Sequence, residues 1–247
     1  MPAVSNTLNA SNLAAFATLL AAVKEFGSRY NPASPRLSIS SLDATYERAQ
    51  RATSEVLQLE VAYSEAIDER INLFGKLYPY ASQVVSMYSI CSPDERAVEN
   101  ARMILRRLRG ARYGAKQSLP EATDADRARL RSHSQLGFED RTSNFAQLVS
   151  HIEACPLYKV NEPNLTKEAV RGFADSLTAA NDRCIEAAAV LQSARIRRDD
   201  LFYDGDESLH QLFMEIKKYL RGAFGVSSVE MKRVSSILFR RLRRLHS

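Results

Sequence analysis

The stretch LDATYERAQRATSEVLQLEVAYSEAIDERINLF (42–74) decides the fold. Apolar residues recur in it at helical spacings, at Leu42, Tyr46, Ala49, Val56, Tyr63, Ile67 and Phe74, with charged residues between them. Side chains three, four and seven apart share one face of an α-helix, so the pattern predicts a long helix with a single buried stripe. A second stretch, VRGFADSLTAANDRCIEAAAVLQSARIRRDDL (170–201), carries the same kind of stripe at Val170, Phe173, Leu177, Ala180, Cys184, Leu191, Ala194 and Leu201. A stripe kept for about ten turns is built for another helix, which points to long antiparallel helices with coiled-coil-like packing.

The two stretches belong to a larger repetition. FATLLAAV (16–23) aligns with FAQLVSHI (145–152), placing Phe16 on Phe145. YNPASPRLSISSL (30–42) aligns with YKVNEPNLTKEAV (158–170) at an offset of 128, which also puts Arg70 on Arg198, Leu73 on Leu201 and Phe74 on Phe202. After three inserted residues Tyr88 meets Tyr219. Repetition on this scale means one supersecondary unit used twice. Each copy reads as helix A (about 10–27 and 139–154), a Pro-containing link, helix B (about 39–76 and 166–203), helix C (about 80–90 and 207–224) and a closing basic helix. Ser40 or Ser41, Thr166 and Asp206 are the expected N-caps, because a short oxygen-bearing side chain satisfies a free N–H of the first turn. Gly75 and Pro79 either divide helix B from helix C in the first copy or kink one continuous helix. The expected architecture is all-α, an elongated antiparallel bundle of two tandem three-to-four-helix repeats in a pseudo-two-fold relation. The copies are 1–109 and 139–247, with a polar linker at 110–138.

Composition agrees with this class and excludes others. With 9 Gly and 8 Pro among 247 residues, and 45% hydrophobic residues, the chain favours helices around a real core over disorder or a turn-rich sheet fold. No apolar run reaches the length of a membrane span. Leu13 to Val23 has the length of an export signal's apolar region but lacks a basic stretch before it. Three widely spaced cysteines, Cys91, Cys155 and Cys184, fit a reducing compartment, so a cytoplasmic location is expected.

Charge is concentrated. Segments 102–116 and 231–247 each contain six Lys or Arg and no acid, and the remainder holds 22 basic against 29 acidic residues. Arg102, Arg106, Arg107, Arg109 and Arg112, with Lys232, Arg233, Arg240, Arg241, Arg243 and Arg244, therefore form a candidate basic partner surface. Such a surface suits phosphates through sequence-independent attraction, or an anionic membrane. Its plainer role is to complement the acidic remainder and the helix C-termini. Arg70 and Arg198 recur beside acids on helix B and are read as structural ion pairs that fix helix register.

Catalytic chemistry is poorly represented. His133, His151, His210 and His246 are isolated, and neither Cys-x-x-Cys nor His-Glu-x-x-His occurs. Asp199, Asp200, Asp204, Asp206 and Glu207 cluster where helix B meets helix C, but DGDE (204–207) lacks the further alternating ligands and terminal Glu of a calcium loop, so the cluster is read as a turn and cap. No cofactor, metal or small-molecule ligand is inferred. YNPASPRLSISSL, AIDERINLF and LFYDGDESLHQLFMEIKKYLRGAFGVSSVEMKRVSSILF together resemble a family of internally duplicated all-helical proteins associated with Bacteroidota. That resemblance implies the architecture over nearly the whole chain and carries no catalytic residue. The expected function is a non-enzymatic scaffold or protein-interaction module that associates with itself or another protein. The alternative is binding of nucleic acid or another anionic surface through the two basic segments.

Overall fold

Two polar residues start the two long helices in the same way. The Ser41 N–H donates to Ser38 Oγ at 3.2 Å, and the Ala169 N–H donates to Thr166 Oγ1 at 3.2 Å, each satisfying a first-turn donor. The cap of the first is thus Ser38, the position equivalent to Thr166, and neither Ser40 nor Ser41. The computed structural model describes residues 3–109 and 137–240. Among them are seven α-helices and no strand. These are α1 (Ala3–Glu25), α2 (Ile39–Cys91), α3 (Glu95–Arg109), α4 (Phe138–Glu153), α5 (Lys167–Tyr203), α6 (Leu209–Phe224) and α7 (Val229–Ser235).

Helix α2 runs through Pro79, so the expected helices B and C of the first copy are one element of 53 residues. A proline in a helix interior removes one backbone hydrogen bond, a cost that apolar burial on both sides outweighs here. Phe74, Leu77, Ala81, Val84 and Val85 flank it and are all buried. Helix α5, by contrast, ends at Tyr203. Gly205 takes φ +86°, a backbone conformation that suits glycine, and Ser208, where Asp206 was expected, caps α6 by accepting the Gln211 N–H at 3.3 Å. The closing basic helix is shorter than expected: α7 stops at Ser235, and residues 237–240 continue without helical structure.

The chain forms two compact units. Unit 1 comprises residues 1–62 and 188–247, and unit 2 comprises residues 63–187. Each draws on both sequence copies, because α2 and α5 are divided between the units. In unit 1, Phe16, Leu19 and Val23 of α1 meet Leu42 and Ala49 of α2, Phe202 of α5, and Leu212, Phe213 and Ile216 of α6. In unit 2, Phe145, Leu148 and Ile152 of α4 meet Phe74, Leu77 and Val84 of α2, Ala101 and Ile104 of α3, and Val170 and Leu177 of α5. Each fully buried large side chain contributes about 1.5–3 kcal/mol, so these two clusters dominate stability. The long α2 stripe is not buried throughout. Tyr63 and Ile67, at its middle, are only half-buried.

The link between α1 and α2 and the link between α4 and α5 each close on a tyrosine clamp. Tyr30 donates its hydroxyl to the Leu37 carbonyl, and Tyr158 to the Leu165 carbonyl, each at 2.8 Å and each buried. Burial, with Tyr219 nearby, pushes the Tyr30 hydroxyl up, and burial, with Cys91, Tyr80 and Glu162 adding, pushes Tyr158 up to about 12. Both phenols therefore keep the proton that the clamp requires.

Candidate functional site

Asn6, Asn9 and Asn12 stand at three-residue spacing on α1, so one face of that helix carries a row of amides. Asn9 and Asn12 are 0% and 1% exposed, and a buried amide is costly unless its donors and acceptor are used. They are used within unit 1. Asn6 donates to both carboxylate oxygens of Glu60, at 2.8 and 2.9 Å, and accepts from Arg198 Nη1 at 2.7 Å. Asn9 donates to Asp199 Oδ1 at 3.3 Å and accepts the Tyr203 hydroxyl at 2.5 Å. Asn12 donates to Tyr203 Oη at 3.0 Å and binds the backbone of Arg240.

Arg198 is the charged centre of this chain of contacts. Only 2% exposed, it donates through Nε and Nη2 to Asp199 Oδ1 at 3.0 and 2.9 Å. Arg195 reaches Glu60 Oε1 at 2.7 Å. Burial alone would raise Glu60, but hydrogen bonds from Arg195 and Asn6 and the charges of Arg195 and Arg198 outweigh it and hold the carboxyl below its ordinary value. Burial pushes the Tyr203 hydroxyl up, so it remains a donor. The arrangement consumes its own polar groups: it fixes α1, α2 and α5 in register and holds the 237–240 segment.

Arg70, aligned with Arg198, has different surroundings. Its guanidinium lies over the Phe138 ring at 4.1 Å, and among the described residues it forms no ion pair with a carboxylate. Phe138 meets Phe74 edge to face at 4.9 Å, and Arg141 lies over Phe74 at 5.3 Å while donating to the Phe74 carbonyl at 2.8 Å. Burial lowers the Arg141 pKa. Among the described residues, Arg70 Nε, Arg141 Nε and Asn181 Oδ1 are buried without a hydrogen-bond partner.

The candidate basic surface is divided between the units. On α3, Arg102, Arg106, Arg107 and Arg109 are exposed. Arg102 and Arg106 share Glu99, and Arg109 lies 5.9 Å from the Tyr78 ring. In unit 1, Lys232 is exposed, Arg233 pairs with Glu25, and Arg240 is engaged through its backbone by Asn12. Arg112, Arg241, Arg243 and Arg244 lie outside the described residues. Among the described residues, no three His, Cys, Asp or Glu side chains are grouped to hold a metal, and no helix is long and apolar enough to cross a membrane.

The polar row on α1 was missed in the sequence, although its three-residue asparagine spacing within 6–12 is a readable signal. The fold and this network define a two-core, all-helical protein whose most elaborate polar site is turned inward. No family model, curated protein or solved structure matches the chain.

Proposed function

We propose that the chain is an internally duplicated, non-enzymatic helical interaction protein that associates with copies of itself. One observation carries this reading: large aliphatic side chains stand exposed on both long helices. Leu57 and Val61 on α2 are 53% and 58% exposed, and Ile196 on α5 is 53% exposed, all three in unit 1. Ile71 and Ile185 in unit 2 are 51% and 56% exposed. Helix faces of this kind gain free energy when another helix covers them. The matched clamps, Tyr30 to Leu37 and Tyr158 to Leu165, support the duplication. Size-exclusion chromatography with light scattering tests the association. The mass rises with concentration, and Val61→Glu lowers it toward the monomer. A monomer at every concentration overturns the reading.

A second reading, sequence-independent binding of nucleic acid, is favoured by the five exposed arginines of the 15-residue α3. It requires retention on heparin at low salt that falls steeply as salt rises. A chain that flows through at low salt excludes it.

A further inference from the structure

Residues 237–240 follow α7 as a non-helical segment whose side chains alternate. Ile237 and Phe239 pack on the core of unit 1, whereas Leu238 is 65% exposed and Arg240 is exposed. Phe239 enters between Tyr203, His210 and Phe213, with ring centroids at 6.1, 5.6 and 5.5 Å. Asn12 Oδ1 accepts the Arg240 N–H at 2.9 Å, and Asn12 Nδ2 donates to the Arg240 carbonyl at 2.7 Å. Lys217 Nζ donates to the Ile237 carbonyl at 2.6 Å.

These contacts divide as peptide recognition does. The paired amide contact imitates a rung of a β-ladder and reads backbone without regard to side chain, while the aromatic pocket selects the residue that fills it. Asn12 is itself fixed, because Tyr203 accepts from its Nδ2 at 3.0 Å and the residue is almost completely buried. A preorganised reader of this kind gives up little freedom when a segment enters. The groove occurs once among the described residues, since Arg141 stands where the register of Phe16 on Phe145 would place the second Asn12.

We propose that this groove of unit 1 is a receptor for an extended segment of the pattern aliphatic, any residue, aromatic, any residue, and that it takes the 237–240 segment of a second copy. The inference rests on the self-association reading and adds to its helix faces a second contact between the copies. A second copy is the fitting donor because exchange between identical chains remakes every contact now made within one chain. The exchanged and unexchanged forms then differ only at the hinge and in the entropy of association. Ser236, the turn residue after α7, supplies the hinge.

The test uses the full chain carrying Phe239→Ala, which removes the segment's own anchor, and a dye-labelled synthetic peptide of residues 229–240. Fluorescence anisotropy is expected to show the variant capturing the peptide about tenfold more tightly than the wild type, whose own segment competes. The same peptide carrying Phe239→Ala is expected not to bind. Failure of a variant with an unchanged helical circular dichroism spectrum to capture the peptide overturns the proposal, as does equal capture of both peptides. If Phe239→Ala loses helical signal, Phe239→Leu, which keeps the apolar bulk without the ring, takes its place. A Phe239→Ala chain that self-associates as the wild type does overturns the exchange and leaves self-association standing. Peptide capture beside a wild-type chain that stays monomeric throughout upholds the groove and overturns self-association.

Discussion

Unit 1 and unit 2 place an arginine at aligned positions of their long helices, one buried and one part-buried, and accommodate it by different physics. In unit 1, Arg198 is 2% exposed and its charge meets Asp199, while Asn6 accepts from its Nη1. In unit 2, Arg70 lies on a ring, and the alignment accounts for the change. In the register of Phe16 on Phe145, Asn9 corresponds to Phe138 and Asn12 to Arg141; at the offset of 128, Asp199 corresponds to Ile71 and Tyr203 to Gly75. Asp199, the carboxylate that Arg198 meets, has an apolar counterpart beside Arg70, and the amides and phenol that surround Asp199 have an aromatic, a cationic and an absent one. What remains is a stack of Arg70, Phe138, Phe74 and Arg141, with two buried Nε atoms unpartnered. Aligned positions on two long helices can therefore be filled by different physics. A network demands several agreeing residues at once, whereas a cation over a ring demands two.

The largest expected difference between the units is at this arginine. Arg198→Met should cost about 1.5–3 kcal/mol in denaturant unfolding, because it removes the buried guanidinium's hydrogen bonds to the part-exposed Asp199 and to Asn6, while Arg70→Met should cost about 1 kcal/mol. Equal costs would erase the distinction. Phe138→Ala comes next, at about 2–3 kcal/mol, since it removes the ring that both Arg70 and Phe74 use. Where the units agree, they should respond alike: Tyr30→Phe and Tyr158→Phe should each cost about 1 kcal/mol, and a difference larger than that would show that the two clamps are not equivalent in energy. The smallest effect concerns pH. Because the folded-state pKa of Glu60 lies below its ordinary 4.5, its contribution is fully present above that value and is lost as pH falls through the lower folded value. An NMR titration should find Glu60 below 4.5 in the wild type and closer to it in Arg195→Met, and no movement in that variant would refute the assignment.

Much of this was legible in residue order. Helical spacing marked Leu42, Ala49 and Val56, and likewise Val170, Leu177 and Leu191, and all six are buried. Tyr30 and Tyr158 announced themselves by recurring. The caps were legible only to within a few residues, since Ser38, Ser40 and Ser41 are chemically interchangeable until the chain direction before the helix is known. Pro79 was ambiguous for a related reason: whether a helix continues past a proline depends on how much apolar surface is buried beyond it, which is a tertiary quantity. The polar row on α1 escaped because asparagines near the start of a chain read as polar surface unless partners some 190 residues away are known.

The amino-acid sequence by itself determined the helical class, the approximate helix limits, the buried faces, and the matching of Arg70 with Arg198. These follow from local geometry, because a period of 3.6 residues specifies a face whatever lies opposite it. Only the tertiary structure decided that residues 1–62 share a core with 188–247, that Arg198 meets a carboxylate while Arg70 meets a ring, and that Asn12 holds the backbone of Arg240. A stripe states that a face must be covered, but its partner is selected by shape and hydrogen bonding across the whole chain, where many apolar faces satisfy the same periodicity and few arrangements satisfy every buried polar group.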